Sequence, residues 1–275
     1  MKNKVLPIFI FLLTVAVGLP GNCHETSTYQ LEKDILYRTG SDITAYMRER
    51  CVLDIYYPEG KKDFTTIVWF HGGGITGGNK HIPEEWKEKG FCVIAANYRL
   101  HPAAKHPEYI EDAAAAVAWA FKNISKYGGS PDRIIVSGHS AGGYLASMIG
   151  LDKSYLDAHQ INADKIAALI PFSGHTITHF TIRKEMGYTE TQPVTDKYAP
   201  LFHVRSDAPP LYLITGGREI EMLGRYEENA YLYRMMKVAG HQKTYLYEMD
   251  GFDHGGMAIP GYALTLRILK ELKLN

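Results

Sequence analysis

Arg133-Ile134-Ile135-Val136-Ser137-Gly138-His139-Ser140-Ala141-Gly142-Gly143-Tyr144-Leu145-Ala146-Ser147-Met148 decides how this chain is read. It opens as a β-branched run and closes as a helix-favouring one. Gly-x-Ser-x-Gly stands between them, and strand, turn and helix together make a nucleophile elbow. A turn that sharp needs residues without a Cβ on both sides of the serine, which Gly138 and Gly142 supply. Ser140 is then lifted off the sheet edge. The helix start behind it offers free N–H groups and the positive end of a dipole.

Working outward, strands are expected near 50–57, 65–70, 91–97, 133–138, 166–172, 211–215 and 244–249. Helices are expected near 83–89, 108–126, 141–151, 222–239 and 261–273. Ile110, Ala113, Ala114, Val117, Phe121 and Ile124 give the 108–126 helix an i, i+3, i+4 apolar stripe. Asp112 and Lys122 lie toward its ends, as the dipole prefers. Thr66-Ile67-Val68-Trp69-Phe70 is almost continuously apolar, as in a strand covered on both faces. This alternation predicts an α/β fold, a mostly parallel central sheet with helices on both faces. Residues 174–210 break the rhythm. They are polar, carry Pro193, Pro200, Pro209 and Pro210, and read as a short cap excursion over the end of the sheet.

The chain has 275 residues, enough for one sizeable α/β domain, and no internal repeat. Lys plus Arg equals Asp plus Glu at 30 each, so no basic excess points to nucleic acid. Nineteen tyrosines are many. Ordinary core and strand packing accounts for most, and some could serve as platforms for sugar or aryl groups. Residues 1–22 read as a secretory leader: Lys2 and Lys4, an apolar run from Val5 to Val17, then Gly18 and Gly21. The run is short for a membrane span. The expectation is therefore a single domain over 23–275, secreted or held in the cell envelope. Cys23 admits lipidation as a minor alternative, although Pro20-Gly21-Asn22 matches the small-residue box poorly. Cys51 and Cys92 fall in strand-like runs, and three cysteines make neither a disulfide framework nor a zinc pattern.

His71-Gly72-Gly73-Gly74 follows the 65–70 strand directly. Glycines there let backbone N–H groups turn inward toward a developing oxyanion. Gly73 and Gly74 are the expected donors, joined by the N–H of Ala141. His71 is read as a brace for the loop. Gly72-x-Gly74-x-x-Gly77 also matches the dinucleotide fingerprint literally, but no acid closes the next strand, which ends Ala95-Ala96-Asn97-Tyr98-Arg99. A phosphate loop fails as well, since Asn79 and Lys80 stand where Lys and a hydroxyl residue belong.

The base is expected after the last strand, in Asp250-Gly251-Phe252-Asp253-His254-Gly255-Gly256. His254 is the candidate, because an imidazole can take and return a proton near neutral pH. The acid that orients it should follow the 211–215 strand, within Gly216-Gly217-Arg218-Glu219-Ile220-Glu221. Glu219 is the expected acid and Glu221 its rival. The chain order Ser, Glu, His is that of α/β-hydrolases.

On these motifs the chain resembles the α/β-hydrolase superfamily, on the esterase/lipase side that carries a His-Gly-Gly-Gly oxyanion loop. Asn97-Tyr98-Arg99-Leu100, Gly129-Ser130-Pro131-Asp132-Arg133, Pro209-Pro210 and Gly251-x-x-His254 are similar runs, and the likeness covers roughly 45–272. It implies a serine hydrolase acting on carboxylic esters without metal or cofactor. It gives Asn97, Tyr98, Arg99 and Asp132 structural roles. Many members carry Asp where Glu219 stands. Compared with lipases, the chain lacks a long apolar lid. With its leader and its tyrosines it resembles enzymes that remove acetyl or feruloyl groups from plant polysaccharides, so the expected partner is a small-molecule or carbohydrate ester. Two other readings share the elbow: an amidase, formamidase or peptidase, and a catalytically inactive hydrolase fold used for binding.

Overall fold

The computed structural model describes residues 28–222 and 224–274. The expected leader 1–22 and Cys23 lie outside the described residues. Within these residues eight strands form one sheet: β1 (Tyr29–Leu36), β2 (Val52–Pro58), β3 (Phe64–Phe70), β4 (Cys92–Ala96), β5 (Gly129–His139), β6 (Ala168–Phe172), β7 (Leu211–Gly216) and β8 (Thr244–Met249). Among the described residues seven helices accompany them: α1 (Ala45–Arg50), α2 (Glu108–Asn123), α3 (Ala141–Leu151), α4 (Ser154–Asp157), α5 (Phe180–Glu185), α6 (Arg225–Val238) and α7 (Ala258–Glu271). The sheet order is β1-β2-β4-β3-β5-β6-β7-β8. β1 and β2 run antiparallel to their neighbours, and every pair from β4 to β8 is parallel.

Alternation along the strands feeds two separate cores. Val68, Phe70, Val136, Leu169 and Leu213 face one core with residues of α2, α3 and α6. Ile67, Trp69, Ile135, Ile170 and Ile214 face the other with residues of α7. There Trp69 meets Trp86 edge-on, with ring centroids 5.0 Å apart. Trp86 belongs to a three-residue 3₁₀ turn, Glu84–Trp86, where the sequence suggests a longer helix over 83–89. Asp112 is not a helix-end charge. It is the fifth residue of α2, fully buried, and accepts from Arg99 Nε at 2.8 Å and from the Arg99 N–H at 3.0 Å. Arg38 Nε lies 2.7 Å from its other oxygen. Cys51 and Cys92 are buried free thiols.

The 174–210 excursion leaves the C-terminal end of β6 and carries α5. Glu185 closes that helix and holds it to the body of the protein. Its carboxylate accepts from Tyr109 Oη at 2.5 Å and from His106, through the backbone N–H at 3.0 Å and Nδ1 at 2.7 Å. Among the described residues no helix is long and apolar enough to cross a membrane.

Candidate active site

Five loops that leave the C-terminal ends of β3, β5, β6, β7 and β8 supply the site residues. Parallel strands end on the same edge, so residues far apart in sequence arrive at one rim. Ser140 sits between β5 and α3 with φ 56° and ψ −115°. A serine held there stores about 1–3 kcal/mol of backbone strain. The packing that enforces it is visible at the glycines. A Cβ on Gly142 would strike the Phe70 carbonyl, and one on Gly138 would stand 2.5 Å from the Gly142 backbone.

His254 Nε2 lies 2.9 Å from Ser140 Oγ, and its Nδ1 lies 2.6 Å from Glu221 Oε1. An ionised carboxylate only accepts, so the proton is on Nδ1 and the Nε2 lone pair faces the serine. His139 donates from Nε2 to the His254 carbonyl at 2.7 Å, which ties the loop after β8 to the elbow. Burial pushes His139 down to about 4, keeping it neutral near pH 7.

The carboxylate beside His254 belongs to Glu221. Glu219, the acid the sequence favours, is exposed to solvent. The reason is a tight turn after β7. The Gly217 carbonyl accepts from the Ile220 N–H at 3.0 Å and from the Glu221 N–H at 2.8 Å. This reversal leaves Glu219 on the outside of the turn and brings Glu221 back under the strand end. The Glu221 side chain is fully buried. Beyond His254, it accepts from Ser173 Oγ at 2.7 Å, the Gly216 N–H at 2.9 Å and the Met222 N–H at 2.8 Å. Burial alone pushes this carboxyl up. The hydrogen bonds from His254 and Ser173 and the His254 charge outweigh it, and the group is held at about 2.

Ser173 is a site residue that sequence reading missed. It follows β6 directly, is fully buried and has φ 46°. Its hydroxyl also lies 3.1 Å from His254 Nδ1, and Arg225 donates to its carbonyl. Its position at a strand end beside Gly174 was the only available clue.

The glycine loop lies against Ser140: a Cβ on Gly72 would stand 3.3 Å from Ser140 Cβ. Gly73 and Gly74 have φ of 106° and 62°. The Gly73 carbonyl accepts the N–H groups of Thr76 and Gly77, both at 3.0 Å. Because a trans peptide is planar, the Gly74 N–H points the opposite way. Among the described residues, the N–H groups of Gly73, Gly74 and Ala141 have no protein acceptor. His71 braces this turn. Its Nδ1 donates to the Gly72 carbonyl at 2.7 Å, and its ring stacks on Tyr98 at 4.4 Å. Burial holds it at about 4, which leaves it a poor cation at neutral pH. Thr181 of α5 donates to the Gly74 carbonyl at 2.5 Å, so the excursion touches the loop. Asn97, Tyr98 and Arg99 all make framework contacts. Asn97 accepts from the Lys80 N–H at 2.6 Å, and Tyr98 donates to the His71 carbonyl at 2.9 Å.

Known proteins resemble this chain in sequence and in fold. The chain is 30% identical over 169 residues to the probable carboxylic ester hydrolase LipM of Mycobacterium tuberculosis. That stretch is 53% of this chain and 39% of LipM, so the chain spans well under half the length of that relative. A truncated carbohydrate esterase from gut microbiota superposes with a TM-score of 0.73 at 19% identity, covering 92% of this chain and 99% of that one. Esterase 2 of Thermogutta terrifontis superposes with a TM-score of 0.70 at 22% identity, covering 91% and 97%. These likenesses show the α/β-hydrolase fold. The family model named BD-FAE matches residues 53–223, from β2 through the loop that carries Glu221, and the chain belongs to that family of α/β-hydrolase esterases.

Proposed function

We propose that the chain hydrolyses carboxylic esters through an acyl-enzyme on Ser140, with His254 as the base and Glu221 as the acid that orients it. One observation carries this reading: the unbroken line Ser140 Oγ, His254 Nε2, His254 Nδ1 and Glu221 Oε1, with links of 2.9 and 2.6 Å. His254 takes the hydroxyl proton as Oγ attacks the ester carbonyl. The oxyanion then meets the N–H groups of Gly73, Gly74 and Ala141. Each such donor is worth about 10²–10³ in rate. His254, now charged beside buried Glu221, gives its proton to the leaving alcohol. Water repeats the cycle on the acyl-enzyme and frees the acid.

The substrate class we infer is a small-acyl ester, or one borne on a polysaccharide, such as an acetyl or feruloyl ester. The polar excursion and the carbohydrate esterase among its structural neighbours support it. The secretory reading of residues 1–22 fits a substrate met outside the cytoplasm, and the N-terminal mass of exported protein tests it. For the chemistry, wild type and Ser140→Ala are run side by side on acetyl, butyryl, feruloyl and formamide substrates. A fluorophosphonate probe is applied to both. The expected result is ester turnover and labelling in wild type, with turnover falling by up to about 10⁶-fold in the variant and no label. Turnover retained by pure Ser140→Ala overturns the nucleophile. Turnover of the formamide in preference to the esters overturns the reaction class.

A further inference from the structure

A cavity of about 840 Å³ lies between the 174–210 excursion and the start of α6. That volume is in the range of pockets that hold small organic ligands. It adjoins the site through two residues. Phe180 forms part of its wall and also packs on the glycine loop, where a Cβ on Gly74 would stand 3.0 Å from the ring. Met222 lines it one residue after Glu221. Ile177, Pro193 and Tyr231 make much of the rest of the wall apolar.

Two arginines line this apolar space from different elements, Arg183 on α5 and Arg225 on α6. They are 4% and 1% exposed. Arg183 donates to the Gln192 carbonyl at 2.8 Å, and Arg225 donates to the Ser173 carbonyl. The Nε of each lacks an acceptor, and among the described residues neither guanidinium has a carboxylate at ion-pair distance. Of the three acids at the cavity, two are engaged elsewhere. Glu227 pairs with Arg218 at 2.8 Å and Glu190 with Lys184 at 3.5 Å; Glu228 lies 2.8 Å from His175 Nδ1, an imidazole that burial keeps neutral, so its carboxylate charge is left to be shared by the two arginines, one acid for two cations. Buried cations are normally paired, because desolvation without a partner is costly.

Resting on the esterase reading above, we infer that this cavity is a carboxylate subsite. It receives the remote carboxylate of an ester whose reacting carbonyl sits at Ser140. The guanidinium forks supply planar, charge-assisted donors, and the apolar walls take the organic stem, which a bare inorganic anion lacks. The carboxylate can stand on the acyl side or on the alcohol side, and two substrate pairs separate these. The acyl arm compares mono-4-nitrophenyl glutarate with 4-nitrophenyl hexanoate. The alcohol arm compares 4-acetoxybenzoate with 4-acetoxybenzamide. The expected result is a kcat/KM ratio of at least tenfold for the anionic member in one arm. Arg183→Met should cut that ratio tenfold or more, and Arg183→Lys should cut it less. Ratios within twofold of one in both arms overturn the inference, as does a preference that survives Arg183→Met. The wild-type ratio and Arg183→Lys carry the test if Arg183→Met does not fold. Calorimetric binding of the same glutarate ester to Ser140→Ala needs no turnover. Tight anion-selective binding without wild-type ester turnover would strike the esterase reading and leave the subsite standing.

Discussion

Glu219 and Glu221 stand two residues apart, and the turn between them sends one into solvent and the other beneath the end of β7. Nothing in Gly216-Gly217-Arg218-Glu219-Ile220-Glu221 distinguishes them, because the choice depends on which N–H groups the Gly217 carbonyl captures. The meeting of Ser140 and His254 was legible, since each belongs to a motif at a strand end. Kinetics on the two acids test the assignment. Glu221→Ala should lower kcat by about 10⁴-fold, the scale of losing the group that fixes the base's tautomer. Glu219→Ala should stay within about twofold of wild type. The reverse pattern would return the role to Glu219. Ser173 makes a second prediction at this scale. It donates to Glu221 from a fully buried position and touches no space a substrate could enter. It is a positioning residue, and Ser173→Ala should lower kcat by roughly tenfold, the worth of one hydrogen bond to a charged group, while KM holds. A change in KM alone would place Ser173 in binding instead.

Elements were legible from sequence in proportion to how much of their surface is buried. β3, β4 and β5 are covered on both faces and appear as apolar runs. α2 has a stripe long enough to show its period, and Glu108–Asn123 closely matches its expected span. β1 was missed because it is an edge strand whose side chains are largely exposed; its identity lies in its pairing with β2. α5 was missed because six residues are too few to show a helical period. Yet α5 carries Phe180, Thr181 and Arg183 to the glycine loop and the cavity, so its anchorage has consequences. Glu185 is that anchor, with a side chain 5% exposed that accepts from His106 and Tyr109. Glu185→Ala should cost about 1–3 kcal/mol of stability. It should raise KM more than it lowers kcat and open 174–210 to limited proteolysis. Unchanged proteolysis with an unchanged KM would show that α5 is held by its apolar contacts alone.

Across the whole molecule, the sequence reached the class of sheet but not the order of its strands. The crossing that places β4 between β2 and β3 leaves no mark in any single segment. Once the sheet is parallel from β4 onward, convergence of the strand-end loops follows from topology, and local spacing plays no part. The same convergence makes global stability depend on one acid of the site. Glu221 is held at about 2 in the folded chain against an ordinary value of 4.5. A folded-state pKa below the unfolded one contributes stability above the unfolded value and loses it as pH falls toward the folded one. The shift corresponds to about 3 kcal/mol in full, of which about 2 kcal/mol should be gone by pH 3. Other carboxylates titrate in the same window, so the quantity to measure is the difference between wild type and Glu221→Gln. Glutamine cannot ionise, and its stability lacks this contribution at every pH. In urea unfolding the gap between the two proteins should narrow by about 2 kcal/mol from pH 6 to pH 3. A gap that stays constant across that window would mean that the Glu221 charge is not favoured by folding, and that the donors around it act on His254 geometry alone.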